Sequence, residues 1–64
     1  MKAEIISELI DREEQSAQLS LALYELLREK REDALAKMAW LIHTQTARNA
    51  ETCGEALGVE VQVA

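Results

Sequence analysis

The feature that most constrains this chain is the absence of glycine and proline from residues 1–53. These are the two strong helix breakers, so nearly the whole chain can be helical. Residues 28–33 (REKRED) are all charged and mark one place for a chain reversal. They divide the chain into two arms of similar length. The sequence therefore predicts an all-α fold, an antiparallel helical hairpin.

The expected boundaries follow from end signals along the chain. We predict one domain, with a helix over about residues 2–29, a turn over about 30–32 and a second helix over about 33–57. Asp33 has the short carboxylate that suits a helix N-cap. Gly58 suits the position after a helix, where a left-handed residue is wanted.

Two alternatives concern the continuity of the helices. The charged stretch contains good helix formers, and a 4-3-4-3 spacing crosses it, formed by Leu27, Arg31, Ala34, Met38 and Leu41. A single long helix that pairs as a coiled coil is therefore the rival to the hairpin. Asp11 followed by Glu14 matches a capping box, so a break near Ile10 is the alternative to an unbroken first helix.

Beyond Gly58 the pattern changes from helical to alternating. Val59, Val61 and Val63 alternate with polar residues, which predicts a short extended strand over residues 59–63. A single strand is not stable alone in water, so it would need a partner. A frayed tail is the alternative.

Each arm carries two apolar strips when its residues are placed at 100° intervals. One strip of each arm, rich in leucine and other aliphatic residues, is expected to form the hairpin core. In the first arm they are Ile5, Leu9, Leu19, Leu23, Leu26 and Leu27, and in the second Leu35, Met38, Leu41 and Ile42.

The second strips contain large, small and aromatic residues. In the first arm they are Ile6, Ile10, Ala17, Leu21 and Tyr24, and in the second Ala36, Trp40, His43, Ala47 and Gly54. A hairpin offers each helix only one neighbour, so a second strip predicts another chain. We expect a homodimer with four helices, whose seam or partner-binding surface comprises Leu21, Tyr24, Ala36, Trp40, His43 and Ala47. For Trp40, the dimer seam, a foreign partner and the hairpin's own flank all remain open.

The small size of the chain also favours self-association. Sixty-four residues are near the lower limit for folding on one core. Cys53 is the only cysteine, so no internal disulfide can help, and a lone thiol suits a reducing cytoplasm. His43 and Cys53 would lie roughly 15 Å apart along a helix, too far to share a metal ion. We predict no cofactor and no metal.

Charge and hydropathy limit the partners. The net charge of −5 argues against binding a phosphate backbone and favours either solubility or a basic protein partner. A membrane span would need about eighteen consecutive apolar residues, and the sequence has no such run. The N-terminal segment, interrupted by Glu4 and Glu8, does not resemble a signal peptide.

No residue pattern predicts catalysis. The helical neighbours of His43 include no acid that could orient it as a general base. Cys53 lies near a helix C-terminus, where the dipole disfavours a thiolate. We therefore predict a non-catalytic protein-interaction module, a small acidic regulator, inhibitor or adaptor that occludes a partner protein. A small dimeric DNA-binding regulator and a structural assembly piece are the alternatives.

Overall fold

The computed structural model describes residues 3–58, which form two α-helices, α1 (Ala3–Glu29) and α2 (Asp33–Leu57). The helices pack side by side in opposite directions, and the rod measures 43 × 16 × 14 Å. The helical hairpin is confirmed, and the single long helix is wrong. α1 continues without a break through Asp11. The predicted strand over residues 59–63 lies outside the described residues.

The reversal after α1 is a Schellman motif, a compact helix ending with two characteristic hydrogen bonds. The Glu32 amide donates to the Leu27 carbonyl at 2.9 Å, and the Arg31 amide donates to the Arg28 carbonyl at 3.1 Å. This motif requires a left-handed residue, and Arg31 takes that conformation with φ of 60°. The charged stretch therefore makes a tight turn without the usual glycine.

The start of α2 differs by one residue from the prediction. Glu32 is the N-cap, and its side chain makes no capping hydrogen bond. Asp33 is instead the first helical residue, where its negative charge interacts favourably with the positive end of the helix dipole. At the other end, Gly58 is left-handed with φ of 71°, and its amide bonds the carbonyls of Gly54 and Glu55, as its position predicted.

Arg31→Gly should stabilise the hairpin. A non-glycine residue in the left-handed region costs roughly 1 kcal/mol, part of which is offset because glycine gains more freedom in the unfolded chain. We expect a net gain of about 0.5 kcal/mol and a higher melting temperature by circular dichroism. Arg31→Ala is the matched control and should leave stability nearly unchanged. A lower melting temperature for Arg31→Gly would contradict the left-handed turn.

The contact between the helices consists mainly of small side chains, which reverses the predicted packing. We call these residues the small-residue seam: Ala17, Ser20, Ala36, Ala39, Ala50 and Gly54. Ile10 and His43 are also buried, but no large side chain is fully buried among the described residues. The expected core of leucines, isoleucine and methionine lies mostly on the surface, because small residues let the two backbones approach more closely.

Candidate interaction surfaces

One broad side of the hairpin is a continuous apolar face. Its centre is a groove of about 330 Å³ between the helices, lined by Leu23, Leu27, Leu35, Met38, Ala39 and Ile42. No charged side chain lines this groove. We call this surface, with the exposed leucines and isoleucine around it, the apolar face.

The side chains of the apolar face are large and well exposed. Met38 is 58% exposed, Leu41 60% and Leu19 72%. Ile5, Leu9 and Leu26 of α1 are exposed as well, and Leu35 in the groove is 49% exposed. Single exposed leucines are ordinary, but a contiguous patch across two helices marks an interaction site.

The opposite side carries a row of three aromatic rings. The centroids of the Tyr24 and Trp40 rings lie 5.0 Å apart with the planes tilted by 52°. The Trp40 and His43 centroids lie 5.3 Å apart with a tilt of 44°. Both distances fall within the range of favourable aromatic pairs. Tyr24 and Trp40, the only tyrosine and tryptophan of the chain, thus come from different helices and meet.

His43 anchors this row to the other helix. Its Nδ1–H donates to the backbone carbonyl oxygen of Ala17 at 2.8 Å, across the buried seam. Because a carbonyl oxygen only accepts, the hydrogen bond places the ring proton on Nδ1. A second bond between the helices runs from the Asn49 side-chain amide to Glu13 Oε2 at 3.2 Å. These two bonds help fix the register of the hairpin.

A cleft lies beside the aromatic row, near the turn. It measures about 340 Å³ and is lined by Tyr24, Arg28, Asp33, Ala36, Lys37 and Trp40. We call it the aromatic cleft. The Arg28 guanidinium lies 5.9 Å from the centre of the Tyr24 ring, and its Nη1 donates to the Tyr24 hydroxyl at 3.3 Å.

The structure separates the six residues predicted for the seam or partner surface. Ala36 and His43 are buried between the helices of one hairpin. Leu21, Tyr24 and Ala47 are partly buried, and Trp40 is 45% exposed. Tyr24, Ala36 and Trp40 come together at the aromatic cleft.

The sequence reasoning missed the apolar face as a surface, and it missed Arg28 and Lys37 as neighbours of Trp40. The sequence did contain a signal that could have predicted the apolar face. On the second strip of α2, Ala36, Ala47 and Gly54 are small and recur at helical spacing, and small residues permit close helix packing. The position of Arg28 beside Trp40 depends on the register between the helices, which the sequence pattern does not give. Lys37 lies three residues before Trp40 on α2, so helical spacing alone could have identified it.

The described residues contain no group of histidine, cysteine and acidic side chains that could hold a metal ion. Cys53 is a partly buried free thiol. Of the acids along α1, Glu8 accepts a hydrogen bond from Arg12 at 2.6 Å on the exposed surface. Such an exposed pair contributes little to stability.

Comparison with known proteins gave no match to any family model, to any curated protein or to any solved structure. Within residues 3–58, neither helix has the length and apolar character needed to cross a membrane. The two surfaces described above are therefore the basis for a functional hypothesis.

Proposed function

We propose that this chain is a non-catalytic protein-interaction module that works as a homodimer. It would be a small acidic cytoplasmic regulator, inhibitor or adaptor that acts by binding and occluding a partner protein. The single observation that supports this proposal is the apolar face, a contiguous surface of large side chains that the hairpin itself leaves exposed.

The small interior of the hairpin is the first reason to expect that this face is covered. Within residues 3–58, four of the five buried hydrophobic residues are alanines, and the fifth is Ile10. Alanine burial removes little apolar area from water, whereas each large side chain contributes roughly 1.5–3 kcal/mol when fully buried. Most of the apolar surface that this chain could still bury therefore lies on the outside of the single hairpin.

A second copy of the chain fits this face. A layer of two helices that packs against an identical layer forms a four-helix arrangement, in which the two facing apolar surfaces make one core. A two-fold interface pairs the same patch on both subunits, so the patch must complement itself. The groove satisfies that condition because it is apolar throughout, and two chains of net charge −5 would bring no like charges together there.

Sedimentation equilibrium at micromolar concentration tests the proposed dimer. We expect a mass of twice the 7.2 kDa chain. A mass of one chain across the accessible concentration range would contradict the homodimer. Species larger than a dimer would favour the structural assembly piece over a discrete regulator.

A further inference from the structure

We infer that the aromatic cleft is a docking site for a peptide segment of a partner protein, one that carries an apolar side chain beside a carboxylate. The inference rests on the proposed function, because it assigns the surface through which the module contacts its partner. It depends on residues other than those of the apolar face.

The shape of the cleft suits one apolar side chain. The exposed edge of Trp40 and the ring of Tyr24 form its walls, and the buried methyl of Ala36 lies between them. A cleft of about 340 Å³ falls at the lower end of the range for small-ligand sites. Aromatic anchors of this kind are enriched among the residues that dominate binding energy at interfaces.

The walls of the cleft are held in place before any partner arrives. Trp40 lies between Tyr24 and His43, and His43 is fixed by its bond to the Ala17 carbonyl. Arg28 is oriented by the Tyr24 hydroxyl. A preorganised site loses less side-chain entropy on binding, so a larger share of the contact energy appears as affinity.

The charges at the rim identify the second element of the peptide. Arg28 and Lys37 both line the cleft, and within residues 3–58 neither has a carboxylate within 4.0 Å. A carboxylate of the peptide can therefore bind to cations that carry no competing ion pair. Asp33 at the same rim can accept a hydrogen bond from a peptide amide.

The position of the cleft allows both surfaces to be occupied at once. None of the residues that line the aromatic cleft lines the apolar groove. Residues of the two sets lie on opposite sides of the contact line between the helices when placed at 100° intervals. A homodimer formed through the apolar face would therefore carry two aromatic clefts, both open to solvent.

The test is selection of a random dodecapeptide display library on the purified full chain. Enriched peptides should share a leucine- or phenylalanine-type residue next to aspartate or glutamate. Synthetic versions without tryptophan are then titrated, and the fluorescence of Trp40, the only tryptophan, reports binding at the cleft. Enrichment of basic peptides, or no enrichment, would overturn the inference, as would tighter binding of random duplex DNA than of any peptide.

Variants assign the binding to the cleft. Lys37→Glu should weaken peptide binding at least about tenfold, because it replaces an attraction by a repulsion. Arg12→Glu makes the same charge change on α1, roughly 18 Å along the helix from Tyr24, and should bind like wild type. Trp40→Ala should abolish binding. If that variant fails to fold, Lys37→Glu still tests the site, because Lys37 is exposed and its replacement should not disturb the fold. Equal affinity for wild type and Lys37→Glu would refute the site.

Sedimentation of the same samples separates this inference from the proposed dimer. A dimer that selects no peptide refutes the cleft and leaves the dimer standing. A monomer that binds the peptide supports the cleft and refutes the dimer.

Discussion

Replacing Leu23 with glutamate is expected to separate the proposed dimer into monomers. Leu23 is 45% exposed in the single hairpin and lines the apolar groove. A two-fold seam would bury two copies of the new carboxylate, and an unpaired buried charge is costly. We expect the dissociation constant to rise at least about a hundredfold, close to 3 kcal/mol, when measured by sedimentation. The melting temperature should become lower and less dependent on protein concentration.

Gln18→Glu provides the matched control. It adds the same charge on an exposed position of α1 that does not line the groove. Its self-association should equal that of wild type within experimental error. If Leu23→Glu remained as dimeric as Gln18→Glu, the apolar face would not be the seam.

Ala17→Leu is expected to destabilise the hairpin itself. Ala17 is fully buried, with 0% exposure, and its backbone carbonyl accepts the hydrogen bond from His43. A leucine here must push the helices apart or adopt a strained rotamer, which costs roughly 1–3 kcal/mol. Separation of the helices would also lengthen or break the bond to His43. We expect a large fall in the melting temperature and in helix content at 37 °C.

Ala22→Leu is the control for this substitution. It makes the same change on an exposed position of α1, where the new side chain meets solvent. Leucine and alanine have similar helix propensities, so the change in stability should stay within about 0.5 kcal/mol. If Ala17→Leu had the same melting temperature as Ala22→Leu, close packing of small residues between the helices would be contradicted.

The division of the hairpin into two different sides suggests how its parts could act together. The apolar face can stabilise the chain by association, while the aromatic cleft is left for a partner. Stability and recognition would then depend on different residues. Leu23→Glu tests association through the apolar face, and Lys37→Glu tests recognition at the aromatic cleft.

The sequence alone was enough to predict the two helices and the position of the turn between them. Helix formation over residues 3–29 and 33–57 depends on local propensity, and the absence of breakers is visible in the residues themselves. The charged stretch located the reversal, and Gly58 matched the left-handed ending of α2. These features involve interactions between residues a few positions apart, so they can be read along the chain. The same reasoning misplaced the N-cap by one residue, because Glu32 and Asp33 are both acidic and a cap depends on backbone geometry.

Only the tertiary structure decided which apolar strip faces the other helix. Both strips have the helical period, so the pattern cannot choose between them, and the leucine-rich strip was the predicted core. Packing instead selected Ala17, Ala36 and Ala50, because small side chains bring the backbones close enough for His43 to reach the Ala17 carbonyl. The large side chains were left outside. The meeting of Trp40 with Tyr24 and Arg28 likewise depends on the register between helices, a distance in space that no local pattern encodes.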